Sequence, residues 1–169
     1  PKSSAASDVY KRQIEMFSVD HDPVSPSVGY LFTYQGRTAL ISGDTTKNTN
    51  VEYFSQGIDL LVHEALSPIM LKTMSSAAKA AGNMGMSKIA TDVLDYHASP
   101  TEVAEVARDA DVGHLLYYHI VPPLDVPGLD AIWLDGVDDI FNEYTLGEDG
   151  TLFTLPSDSN EIIKVSSGI

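Results

Sequence analysis

The chain has 169 residues, 43% of them hydrophobic, which suits one domain or a large piece of one. It contains no cysteine, which excludes disulfides and thiolate metal sites. Its 24 acidic and 10 basic residues give a net charge of −14, which argues against the cationic footprint that nucleic-acid binding requires, and no apolar run approaches the roughly 20 residues of a membrane helix.

Residues 1–13 read as an artefactual or disordered leader. Pro1 to Ser7 is small, polar and aperiodic, and Asp8-Val9-Tyr10-Lys11-Arg12-Gln13 resembles the translated end of a sequencing adapter. Ile14 to Val19 predicts a strand running into Asp20-His21-Asp22-Pro23, and Pro23 and Pro26 mark an extended connector. Val28 to Tyr34 and Arg37 to Ser42 predict a hairpin turning at Gln35-Gly36 and delivering Gly43-Asp44-Thr45 to its exit. Asn50 to Gln56 predicts a short helix stopped by Gly57. Ile58 to Val62 predicts a buried strand ending at His63-Glu64.

Helices follow from about Ser67 to Ala81 and from about Ser87 to Leu94, with Gly82 and Gly85 between them. Met70, Met74, Met84 and Met86 suit flexible core or lid packing better than a cofactor site. Ser99-Pro100-Thr101-Glu102 is a capping box with proline at the first helical position. Val103, Ala104, Val106, Ala107 and Ala110 continue it as an apolar stripe at helical spacing. His114 to Val121 predicts a strand stopped by Pro122-Pro123, with His114 facing solvent. Phe141 to Pro156 predicts a last hairpin turning at Glu148-Asp149-Gly150, and the tail after Pro156 is weakly patterned. The alternation is that of an α/β fold, and periodicity alone leaves three-layer and four-layer arrangements open.

His21, Asp44 and His119 each stand at or just past the end of a strand-like run. Imidazole and carboxylate are the ligand types of a catalytic zinc site. Two such cations about 3.5–4 Å apart would activate water and neutralise charge on attacked and leaving oxygens.

Taken in order with Glu64 in His63-Glu64-Ala65 and His97 in Tyr96-His97-Ala98-Ser99, these motifs resemble the downstream part of a metallo-β-lactamase-fold hydrolase. The ribonuclease Z-like and arylsulfatase-like branches are nearest, over residues of about 14–124. The resemblance implies the C-terminal half of a four-layer αββα sandwich, with a partial domain at 14–156 and a tail at 157–169. It implies that His21 binds one metal, His119 the other, and Asp44 bridges them. His97 would protonate the leaving oxygen, with Glu64 positioning it, and His63 would be structural. The expected cofactor is two zinc ions per complete protein, with manganese or iron as alternatives. The family's main ligand motif, His-x-His-x-Asp-His, is absent from residues 1–169, which leaves three of seven ligands. The expectation is therefore a reading frame truncated at its N-terminus and, alone, inactive.

The function expected of the parent is hydrolysis of a small ester-type substrate by metal-activated hydroxide. Phosphodiester, sulfate ester, carboxylic ester and lactone all stay open. The resemblance also keeps open a ribonuclease Z-type RNA 3′-end processing activity. A degenerate, non-catalytic binding module, dimerising through the Met-rich helices, is the reading from a different class. A plain hairpin fills the interval between His21 and Asp44, where long-arm ribonuclease Z proteins carry a tRNA-gripping insertion. With the acidic surface, that places a nucleic-acid partner second to a small molecule. No membrane association is expected, and cytoplasmic and periplasmic or secreted locations stay open.

Overall fold

The computed structural model describes residues 12–165. The leader at 1–11 lies outside the described residues; Arg12 and Gln13 open β1 opposite Tyr34 and Thr33. The strands are β1 (Arg12–Val19), β2 (Ser27–Tyr34), β3 (Arg37–Ile41), β4 (Leu60–Leu66), β5 (His114–Val121), β6 (Tyr144–Leu146), β7 (Leu152–Thr154) and β8 (Ile163–Val165). The helices are α1 (Thr49–Phe54), α2 (Pro68–Ala80), α3 (Met84–Asp92), α4 (Pro100–Asp109) and α5 (Leu129–Trp133), with a 3-10 turn at Val93–Asp95.

The β2–β3 turn forms where the sequence places it. Gln35 (φ 50°) and Gly36 (φ 80°) both take left-handed backbone, the requirement of a type I′ turn whose twist matches its strands. β1 to β6 make one sheet in chain order. The first three strands pair antiparallel, and β3 through β6 pair parallel. Parallel neighbours need crossovers, and here helices supply them.

One face of this sheet carries the core. Leu40, Leu61, Ala65, Leu115 and Tyr117 are fully buried there and pack with the α4 stripe Val103, Ala104, Val106 and Ala107. Ser99 caps α4 as a complete capping box, with Pro100 in its first turn. The face bearing Ile14, Met16, Tyr30 and Ile41 is far more open: Ile14 is 65% exposed and Met16 66%. The architecture is thus a mixed α/β sheet with α4 packed on its core face, while α2 and α3 gather a second, smaller cluster around Leu66, Leu71 and Ala90.

The final hairpin predicted over 141–156 does not form. β6 instead joins the open edge of β5, with Leu115 N–H donating to Glu143 O and Gly147 N–H to Tyr117 O, both at 2.9 Å. That edge offers unpaired backbone partners, and pairing there lays Tyr144 and Leu146 against the core. The turn at Glu148–Thr151 is real, but β7 continues into a separate two-stranded sheet with β8. The weakly patterned tail is tethered as well. Buried Arg37 pairs with Asp59 at 2.8 Å and donates to the carbonyls of Pro156, at 3.0 Å, and Ser159.

Two further boundaries move. β4 runs on to Leu66, so His63 and Glu64 lie inside a strand and not past its end. α3 begins at Met84 and absorbs Gly85. Met70 packs in the core, whereas Met74, Met84 and Met86 are exposed.

Candidate metal centre

Five side chains singled out from the sequence converge at the ends of β1, β3, β4 and β5 and at the turn before α4. β3 exits through Ser42 and Gly43, whose φ of 66° turns the chain toward Asp44. A Cβ at Gly43 would lie 2.4 Å from the carbonyl oxygen of Val28, so the turn tolerates glycine alone. Ser27 Oγ donates to the Asp44 carbonyl at 3.0 Å and fixes the loop.

His119 is placed by a β-bulge. Tyr118 pairs with Glu64 and Ile120 with Ala65, so His119 is the extra residue between them. It adopts φ 44°, a left-handed conformation costing of order 1–2 kcal/mol for a non-glycine residue. A bulge re-aims a side chain that a regular strand would point elsewhere. His119 Nδ1 lies 3.4 Å from Asp44 Oδ1, and both groups are partly open to solvent.

His21 is held from behind. Its Nδ1 donates to the carbonyl of Tyr96 at 2.8 Å, and its ring meets Tyr96 edge-on at 4.9 Å. With the proton on Nδ1, the lone pair is on Nε2; a hydrogen bond from the other ring nitrogen to a carbonyl is what a metal-binding histidine characteristically makes. The His21 and His97 ring centroids are 5.0 Å apart, and those of His97 and His119 are 5.8 Å apart.

Glu64 organises the centre from below. It is fully buried, and its Oε1 accepts the amide N–H of Thr45 at 3.1 Å and of Ala98 at 3.3 Å. One carboxylate oxygen therefore ties the Asp44 loop to the His97 loop. The same oxygen stands 3.1 Å from His97 Nδ1, close enough to pair but off the direction of a well-aligned hydrogen bond. Burial disfavours the His97 imidazolium, but the Glu64 carboxylate, with Asp44 beyond it, outweighs burial and raises the pKa of His97 above its ordinary value.

The donor set fits a divalent cation of the zinc class. Among the described residues one group, Glu64, His97 and His119, has one donor atom from each residue within 4.8 Å of the others. It spends Glu64 Oε1 on two amides and leaves Glu64 Oε2 and His97 Nδ1 buried without hydrogen-bond partners. Of the ligands expected from the sequence, His119 belongs to this group, Asp44 stands beside His119 with a partly exposed carboxylate, and His21 meets the ring of His97.

His63 and His114 differ in kind. His63 is wholly buried, its Nδ1 donates to the Glu64 carbonyl at 2.7 Å, and burial depresses its pKa, in keeping with a structural role. His114 does not face solvent as expected. It is about half buried, 3.0 Å from Thr145 Oγ1 and against the ring of Phe153, because β6 and β7 fold over it. Sequence reasoning missed Tyr96 and Tyr118. The Tyr96 contribution is a backbone carbonyl, which leaves no side-chain signal. Burial, with the Asp44 carboxylate nearby, pushes the Tyr118 phenol above its ordinary pKa.

A cavity of about 720 Å³ borders His97 and is lined by Lys47, Lys72, Ser99 and Thr101 among others. Another, of about 430 Å³, borders His119 and is lined by Tyr118, Gly147, Glu148 and Asp149. The helical segment at 67–95 flanks the first of these through Pro68, Lys72, Leu94 and Asp95.

No protein-family model matches the chain. It is 31% identical to a ribonuclease Z of Mycolicibacterium paratuberculosis over 120 residues, which are 71% of this chain and 39% of that protein. The chain thus spans about two fifths of the length of the relatives of this kind that it matches. Among solved structures it is similar to the metallo-β-lactamase fold protein YhfI of Bacillus subtilis, with a TM-score of 0.55 and 18% identity over 79% of this chain and 45% of that one. It is similar also to a long-form RNase Z from yeast, with a TM-score of 0.53 and 16% identity over 88% of this chain and 18% of that one. Among the described residues, no helix is long and apolar enough to cross a membrane.

Proposed function

Because this chain is a metallo-β-lactamase-fold, ribonuclease Z-like protein, we propose that its site is the downstream part of a metal-dependent phosphodiesterase centre. The observation that carries the reading is the convergence of His21, Asp44 and His119 around a His97 that is itself paired to buried Glu64. His21, Asp44 and His119 would help hold two divalent cations, which would supply activated water and charge neutralisation on the phosphoryl oxygens.

The chain's own groups divide the other work. His21 offers Nε2, because Tyr96 holds the proton on Nδ1. Asp44 is presented by a turn that glycine alone allows. Glu64 favours the charged form of His97, so that His97 can give a proton to the leaving oxygen. The amides of Thr45 and Ala98 hold Glu64 in place.

Phosphodiester substrates lead over sulfate esters, carboxylic esters and lactones because relatives at 28–31% identity are named ribonuclease Z. Those names also favour a second reading, RNA 3′-end processing. The test uses the longest natural reading frame that contains this chain, loaded with zinc or manganese. Bis(4-nitrophenyl) phosphate, 4-nitrophenyl sulfate, 4-nitrophenyl acetate and a 3′-extended tRNA are the substrates. The expected result is phosphodiester turnover that falls about 10²–10⁴-fold in His97→Ala. Faster turnover of the sulfate or acetate would overturn the reading, and cleavage of the tRNA at its 3′ extension would favour the second.

A further inference from the structure

The cavity beside His97 differs in charge from the rest of the molecule. The chain has only 10 basic residues against 24 acidic ones, yet Lys47 and Lys72 both line this one space. The hydroxyl residues Thr46, Ser99 and Thr101 line it as well. Two acids share the wall, Glu102 and Asp95. Glu102 accepts from the Ser99 amide at 2.8 Å and from the Ser99 hydroxyl at 2.7 Å, which already engages its carboxylate. Lys47 is held in place by Glu105 at 2.8 Å, and that hydrogen bond raises its pKa and keeps it cationic. Lys72 forms no ion pair among the described residues.

The space bordering His119 is acidic, without a lysine or arginine in its lining. Glu148 and Asp149 line it, and an adjoining cavity adds Asp125 and Asp130. The His119 side therefore opposes a second phosphate, and the His97 side is the one that offers it lysines. The volume of about 720 Å³ lies within the range of about 300–1,000 Å³ that holds a small organic ligand.

We propose that this cavity is a phosphate subsite for the leaving group, in which Lys72 and Lys47 receive the next phosphate of a nucleotide chain. The proposal rests on the phosphodiesterase reading above, since His97 marks the side from which the leaving oxygen departs. Lys72 is the specificity-determining residue, being the cation that brings no carboxylate partner with it. Lys47, paired with Glu105 at 2.8 Å and Glu52 at 4.0 Å, adds an ammonium donor on a fixed support, with its charge largely offset.

The test is direct binding to the 169-residue chain, without metal or turnover. Uridine 5′-monophosphate and uridine are titrated separately, with backbone amide shifts followed by NMR. The monophosphate should bind at least about tenfold more tightly, the size of one charge-assisted hydrogen bond. The shifted amides should centre on residue 72 and residues 97–101. Lys72→Glu should abolish the advantage, and Lys88→Glu, on the exposed side of α3, should retain it. Equal binding of the two ligands, or an advantage that survives Lys72→Glu, overturns the proposal. The parent reading fails by a different sign, the absence of bis(4-nitrophenyl) phosphate hydrolysis in the longer protein.

Discussion

Removing the Glu64 side chain should cost more than removing its charge. Its Oε1 accepts two amide N–H groups, from Thr45 at 3.1 Å and Ala98 at 3.3 Å, in a site closed to solvent. Glu64→Ala leaves both donors unsatisfied, at about 1–3 kcal/mol each. Relief from taking a carboxylate out of the interior works in the opposite direction. The expected net loss is about 2–4 kcal/mol, a large share of the ~5–15 kcal/mol that a domain has. Glu64→Gln keeps an amide oxygen for the same two donors and should cost less by about 1.5 kcal/mol or more. Urea unfolding of the chain at neutral pH measures both, with an unchanged slope as the check that only stability has moved. If the two variants unfold within about 0.5 kcal/mol of one another, or Glu64→Ala is the more stable, Glu64 does not hold these loops together.

The same reasoning reaches other positions. Gly43→Ala must adopt a left-handed backbone and relieve a 2.4 Å approach to Val28 O, so it should lose at least ~2 kcal/mol and about 4–8 °C of Tm in a thermal melt. Burial disfavours the Asp59 carboxylate, but Arg37, 2.8 Å away, and the Thr38 donors outweigh burial and hold its pKa below the ordinary 3.8. Its stabilising contribution should therefore be complete above the unfolded-state value and fade as pH falls through the lower folded value. A pH series of urea midpoints should show a shallower acid loss in Asp59→Asn; identical slopes would remove this pair from the account. Isothermal titration of the chain with zinc should show fewer than two sites of micromolar affinity, and His119→Ala should weaken whatever binding remains, since His119 groups with Glu64 and His97 and also stands beside Asp44.

Much of the centre was legible in the sequence because its residues sit on local signals. The Gln35-Gly36 turn, the Ser99 capping box and the glycine before Asp44 are short-range features whose chemistry dictates their geometry. His21, Glu64, Asp44, His97 and His119 could be named from motif order; His97 lies beside Glu64, His21 and His119, and His119 beside Asp44. What stayed hidden depends on partners distant in sequence. The path of residues 144–154 follows the open edge of β5, which pairs with β6 and places Tyr144 and Leu146 against the core. The burial of His114 follows from that same choice. The Lys47–Lys72 cavity joins residues 25 positions apart by a crossover that no periodicity reports.

The bulge at His119 sets foldability against chemistry at a single residue. Its backbone angle is one that glycine adopts freely and histidine does not. The partly exposed side chain is not locked in the core, so little packing compensates the strain. A programme that seeks more stable variants from backbone preference alone would place a glycine here early. It would gain a calmer backbone and delete the imidazole that stands between Asp44 and the Glu64–His97 pair, so thermostability and metal affinity at this position should move in opposite directions.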